Sequence, residues 1–243
     1  TAVDCESQKE QFDVNVLHDT YTEAQLQRLA ARYAAEVTMT DRWIGHVLAQ
    51  MDVMSLWENT MVVLISDHGT HLGEHKRTGK HSVRGWAEPW PLYEEVTHIP
   101  LLVYVPGGGL KRRVRALAQP PDLMPTVLDI CGVAGPEMHG HSWLPLLTGE
   151  RRANWDVVYS SRHTPPEGLN DMSPSYCMAT TPKWTYVCAE SGHQAELYDM
   201  TSDPGQGRNV AAEHPRICGR LQRDAIAFLR EQGATEPYVD RFL

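Results

Sequence analysis

From Thr22 the apolar residues fall at Leu26, Leu29, Tyr33, Val37, Ile44, Val47, Leu48 and Met51. Those steps of three and four predict one long amphipathic helix that packs a single face. Thr22 and Gln25 have the form of a capping box at its start. Arg28, Arg32, Glu36, Asp41 and Arg42 fall on the other face and read as solvated charges. The helix is expected to stop near residues 52–55. The pattern then changes. Met61-Val62-Val63-Leu64-Ile65 is an unbroken apolar run, as in a strand covered on both faces. Residues 99–105 form a second such strand, stopped by Pro106 and three glycines. A helix followed by a buried strand is half of a βαβ unit, which needs a parallel strand upstream. No such strand is identifiable in residues 1–21. Residues 122–131 predict a short helix, with Pro125 in its first turn and Gly132 just past its end.

Beyond about residue 150 the pattern shortens. Residues 155–160, 176–180, 184–188 and 195–199 read as strands, punctuated by Pro165-Pro166, Ser173-Pro174 and Thr181-Pro182. A last helix is predicted over 215–231, with Ile217, Leu221, Ala225 and Phe228 on one face and Gly233 beyond its end. Strands followed by one covering helix imply a small antiparallel sheet. The expected organisation is therefore residues 1–150 as part of an α/β domain and 151–243 as an α+β subdomain.

Composition narrows the function class. The 243 residues are 42% apolar and carry a net charge of −9, which argues against a nucleic-acid surface. Lys111, Arg112, Arg113 and Arg115 form the one basic cluster and read as a solvated loop. No run approaches the roughly 20 apolar residues of a membrane helix, so no membrane partner is expected. Five cysteines with no close pair argue against a zinc ribbon. Cys177 and Cys188 either face each other across a hairpin or are core thiols. The compartment stays open between cytoplasm and periplasm, and the oligomeric state is not indicated.

The chemistry concentrates where the first apolar run ends. Ser66-Asp67-His68-Gly69 is followed by Leu72-Gly73-Glu74-His75 and Thr78-Gly79-Lys80. Ligands of open α/β sheets bind just beyond strand ends of this kind. Asp67 and His68 are adjacent, so in a regular strand they would face opposite ways. Both reach one ion only if the chain turns, and Gly69 is expected to allow that turn. Calcium prefers oxygen shells, whereas imidazole suits zinc, manganese or iron, so the residues alone leave the metal open. Lys80 supplies a cation for a growing negative charge. His71 and His75 are four apart, but Gly73 between them argues against a helix and so against a zinc-protease motif. His75 is expected to brace the loop, and His98 to pack before the second strand. Between Lys80 and Tyr93, Arg84, Trp86 and Trp90 suggest either a substrate-shaping loop, with rings that stack on a sugar or aryl group, or an insertion pinned to the surface.

The order Ser66-Asp67-His68-Gly69-x-x-Leu72-Gly73-Glu74-His75, then Lys80, then Tyr93-Glu94-Glu95 through Pro100-Leu101 to Pro106-Gly107 resembles the sulfatase branch of the alkaline phosphatase superfamily. The resemblance continues through Asp122–Asp129, Gly140–Gly149, and Glu196–Asp199 with Asp203-Pro204 and Asn209. It implies part of an alkaline-phosphatase-like sandwich with a mostly parallel sheet, followed by a small C-terminal subdomain with an antiparallel sheet. It implies Asp67 and His68 as ligands of a divalent metal, calcium in most such enzymes, with Mn2+ or Zn2+ as alternatives. It places Lys80 on the sulfate and the leaving oxygen, as a catalytic and substrate-binding group; for His81 and Arg84 the expected substrate contacts rest on their position just after the lysine, Arg84 in a stretch where the sequence departs from the family's commonest pattern. The partner implied is a small-molecule or carbohydrate sulfate ester.

Enzymes of this family take formylglycine from a C-x-P-x-R or S-x-P-x-R motif and carry further metal-binding aspartates near it. Neither that motif nor an Asp-Asp pair occurs in the sequence. The expectation is thus the C-terminal portion of a sulfatase, with formylglycine in the missing part and no turnover alone. Two alternatives remain: a phosphonate or phosphate ester hydrolase of the same superfamily, and a noncatalytic protein that binds metal or anion.

Overall fold

The computed structural model describes residues 16–17, 21–80, 90–107, 113–161, 176–190, 192 and 194–243. One unit comprises Thr1–Ala87 with Glu95–Gly109, and the other Glu88–Glu94 with Leu110–Leu243.

In the first unit, β1 is Val16–Leu17 and α1 runs over Glu23–Val53. The predicted capping box is present: Gln25 N–H donates to Thr22 Oγ1 at 3.3 Å, and Thr22 N–H donates to Gln25 Oε1 at 2.9 Å. The predicted single-face packing is not. Only Leu26 and Met51 of α1 are buried, while Val37, Trp43 and Val47 are 51%, 66% and 62% exposed. A 3.6-residue pattern specifies which face could be buried. It does not specify what lies against that face.

β2 (Val62–Ile65) pairs with β5 (Leu101–Tyr104) in antiparallel register, Val62 opposite Tyr104 and Ile65 opposite Leu101. The expectation was a mostly parallel sheet; this pair is antiparallel. The chain leaves β2 and re-enters β5 at the same end of the ladder. Among the described residues between them the one α-helix is the four-residue α2 (Glu94–Thr97). A parallel return needs a crossover that spans the strand length. Neither strand is covered on both faces: β2 is half-buried throughout, and β5 alternates, with Leu102 61% exposed. β3 (His71–Leu72) and β4 (Arg77–Gly79) form a hairpin in the connection, and β1 pairs with β4 on its other side.

The second unit follows the sequence reading closely. α3 (Leu123–Cys131) ends on Gly132, which takes a left-handed φ of 66°. After α4 (Leu144–Thr148), strands β6 (Val158–Ser161), β7 (Tyr176–Thr180), β8 (Trp184–Ala189) and β9 (Glu196–Asp199) form a four-stranded antiparallel meander. α5 (Pro215–Glu231) covers one side of it. Leu221, Ala225 and Leu229 share a core cluster with Cys177, Ala179, Tyr186 and Cys188. Cys177 and Cys188 do stand opposite each other in the β7–β8 register, as buried free thiols. α6 (Glu236–Val239) completes this core through Tyr238 and Val239.

Within the second unit, a buried carboxylate ties together chain on either side of residue 150. Asp122 accepts from the backbone N–H of Gln119 (3.0 Å) and His141 (2.8 Å), and from the indole N–H of Trp143 (3.2 Å) and Trp155 (3.0 Å). One side chain thereby joins three segments, around residues 119, 141–143 and 155, on both sides of residue 150.

Candidate active site

The turn after β2 is built from short polar contacts. The Ser66 hydroxyl donates to the His68 carbonyl at 2.7 Å, and His68 N–H donates to Asp67 Oδ1 at 3.0 Å. Gly69 N–H then donates to the Val96 carbonyl on α2 at 2.9 Å. Gly69 does not take a left-handed φ, so its role differs from the one expected. A Cβ there would lie 1.9 Å from the Glu95 carbonyl oxygen. Close approach of two backbones, and not conformational freedom, excludes a side chain at this position.

The β3–β4 hairpin sets the position of Lys80. His71 stands opposite Gly79, so the residue after β4 returns beside the residues that precede β3. Lys80 Nζ lies 2.7 Å from His68 Nε2. His68 Nδ1 is 2.8 Å from the Gly69 carbonyl, which can only accept. The ring proton therefore sits on Nδ1, and the Nε2 lone pair faces the ammonium. Asp67 Oδ2 is 3.5 Å from the same Nε2. Three groups from one motif thus converge: a carboxylate oxygen, an imidazole lone pair and a cation.

Asp67 and His68 offer a carboxylate oxygen and a ring nitrogen, two donors of kinds that a divalent metal takes. A ring nitrogen whose partner nitrogen donates to a carbonyl is oriented as a ligand. Among the described residues no group of three or more His, Cys, Asp or Glu side chains is arranged to hold an ion.

Behind this pair lies a second cluster. Glu95 Oε2 is 3.4 Å from His75 Nε2 and 3.7 Å from His71 Nδ1. Burial pushes the His71 pKa down to about 4, against the opposing charge of Glu95. Burial pushes Glu95 up, but the nearby rings of His75 and His71 outweigh it and hold the carboxyl below its ordinary value. His75 does brace the loop, as the sequence suggested. Its partner Glu95 was not foreseen, because nothing in the spacing ties position 95 to the histidines twenty or more residues earlier.

Other expected residues fare differently. His81, Arg84 and Trp86 lie outside the described residues. Trp90 is 2% exposed, so its ring is a packing group and not a platform for a sugar. His98 is exposed.

The sulfatase family model matches residues 4–133, and the model for the C-terminal region of N-sulphoglucosamine sulphohydrolase matches residues 82–225. The chain belongs to the sulfatase family. Mouse arylsulfatase K is 31% identical to this chain over 212 residues, which is 84% of the chain and 36% of the mouse protein. The chain therefore spans about a third of the length of the curated relatives it matches. A solved 2-O GAG sulfatase superposes with a TM-score of 0.73 at 27% identity, covering 87% of this chain and 45% of the other. The phosphonate monoester hydrolase of Silicibacter pomeroyi superposes with a TM-score of 0.72 at 28% identity, covering 86% and 42%. These likenesses give the alkaline-phosphatase-like fold, with a four-stranded antiparallel sheet in its C-terminal part.

Proposed function

We propose that the chain supplies the lysine and part of the metal site of a sulfuric ester hydrolase, acting on a sulfated small molecule or carbohydrate. The observation that carries this reading is the Lys80 ammonium held 2.7 Å from an oriented His68 lone pair, with Asp67 beside it. Family membership adds to it, as do the names of its relatives, which include an arylsulfatase and a glycosaminoglycan sulfatase.

In this reading Asp67 and His68 hold a divalent metal, with calcium favoured and manganese or zinc as alternatives. The metal would act as a Lewis acid on a sulfate oxygen. Lys80 turns its ammonium from His68 to the ester's sulfate oxygens, where it offsets the charge that grows during transfer. It is also the donor placed to give a proton to the leaving oxygen. His81 and Arg84 follow Lys80 closely in sequence and would contact the rest of the substrate. The formylglycine nucleophile typical of the family has no motif among these 243 residues, so in this reading it comes from other sequence, and the chain alone does not turn over.

A second reading, phosphonate or phosphate ester hydrolysis, is favoured by the comparable similarity to the Silicibacter pomeroyi enzyme. The two differ in which ester is cleaved. Protein that joins this chain to a formylglycine-bearing segment is assayed on 4-nitrophenyl sulfate and on 4-nitrophenyl phenylphosphonate. Faster sulfate hydrolysis, reduced about 100-fold or more by Lys80→Ala, supports the first reading. Faster phosphonate hydrolysis supports the second. Sulfate hydrolysis that survives Lys80→Ala contradicts the role given to the lysine.

A further inference from the structure

The hairpin that carries Lys80 is gripped by one residue outside it. The main chain of Glu95 presses on the start of the loop: its carbonyl oxygen occupies the space a Gly69 side chain would need, and the carbonyl of the next residue, Val96, accepts from Gly69 N–H at 2.9 Å. Its carboxylate reaches the hairpin itself, 3.7 Å from His71 in β3 and 3.4 Å from His75 at the tip. His71 is fully buried and stands opposite Gly79, the residue before Lys80. The tip needs holding. His75 and Lys76 both take left-handed φ values, 50° and 56°, which non-glycine residues rarely adopt without support.

We propose that Glu95 is a positioning residue, whose carboxylate holds the β3–β4 hairpin in the register that brings Lys80 Nζ to His68 Nε2. The proposal rests on the reading of His68 and Lys80 as a functional pair. Glu95 itself touches neither of them, and it acts through His71, His75 and the Gly69 turn. A carboxylate suits the task because one oxygen has two lone pairs and can face both rings at once. Its ordering role also explains a half-buried acid on a four-residue helix that has little cohesion of its own.

The test reads the His68 ring directly. Long-range ¹H–¹⁵N spectra of the 243-residue chain report which ring nitrogen carries the proton, with the His68 signals assigned by their loss in His68→Gln. The wild type is expected to show His68 protonated on Nδ1, with an Nε2 shift that changes in Lys80→Ala. In Glu95→Ala the single Nδ1–H pattern is expected to be lost, and the Nε2 shift to become insensitive to a second Lys80→Ala change. Glu95→Gln, which keeps an acceptor for His75, is expected to retain the wild-type pattern. A residue that merely adds stability would leave the His68 tautomer of the folded protein unchanged. A folded Glu95→Ala protein with wild-type His68 signals therefore overturns the proposal.

Should Glu95→Ala not fold, His75→Ala releases the same grip from the hairpin side, with the same two outcomes. Inorganic sulfate titrated into the wild type separates the two claims. If the Lys80 and His68 signals ignore sulfate, the functional reading fails, while the tautomer comparison still decides whether Glu95 positions the pair.

Discussion

Lys80 Nζ sits 2.7 Å from His68 Nε2, although twelve residues separate them in sequence. Two local devices bring this about. The β3–β4 ladder returns the chain to where it started, and the Nδ1–H bond to the Gly69 carbonyl turns the imidazole so that its lone pair faces the lysine. A cation against an imidazole lone pair lies where a metal or a proton donor would be used. The same geometry explains why the motif orders its residues as carboxylate, imidazole, glycine and then a distant lysine.

The glycine in that order has a steric cause, and substitution measures it. Gly69→Ala places a Cβ 1.9 Å from the Glu95 carbonyl, and a backbone oxygen cannot rotate away. The expected loss is about 1–3 kcal/mol, the range for forced overpacking, read as a lower urea midpoint with an unchanged slope. Wild-type stability in Gly69→Ala would show that α2 shifts freely.

Asp122 is the corresponding keystone of the second unit. It is fully buried and accepts from two backbone amides and two indoles. Asp122→Ala removes the acceptor from all four donors and leaves the buried Trp143 indole N–H unpaired, at a cost of about 1–3 kcal/mol for that group alone. The variant is expected to lose most of the cooperative unfolding of this unit by differential scanning calorimetry. Asp122→Asn, which keeps one acceptor oxygen, is expected to fall between it and the wild type.

Acid is expected to loosen the first unit through His71. Its folded pKa, about 4, lies below the ordinary 6.5, so the unfolded chain takes up a proton that the folded chain refuses. The stability from the neutral ring is complete above about pH 6.5 and is lost as pH falls toward 4, on the order of 3 kcal/mol in all. Glu95, also held below its ordinary value, adds a loss of the same sign at lower pH. Urea midpoints measured from pH 7 to 4 should fall less steeply in His71→Phe than in wild type. Equal slopes would mean that His71 is not the group that titrates.

The legible parts of this fold are those set by local sequence. Thr22 and Gln25 announce the start of α1, Gly132 ends α3 in a left-handed conformation, and the residues of α5 and β7 can be bounded from pattern and proline alone. The Asp67, His68 and Lys80 convergence was also legible, because one short motif holds all three. Pairing direction was not. An apolar run such as Val62–Ile65 has the same appearance beside a parallel or an antiparallel neighbour, and here the neighbour is antiparallel. Nor was the Glu95 clasp, which depends on α2 meeting the hairpin across an intervening stretch of chain. Trp90 shows a related limit: composition gives an aromatic near the site, and only the fold shows it buried.

The most direct test of the whole account is calorimetric titration of inorganic sulfate into the chain, with and without a divalent metal. The account predicts binding that metal strengthens and that Lys80→Ala weakens at least tenfold, a change of about 1.4 kcal/mol. Lys183→Ala, in the other unit and paired with Asp199, should have no effect. Equal sulfate affinity in wild type and Lys80→Ala, or no sulfate binding by the wild type under either condition, would contradict it.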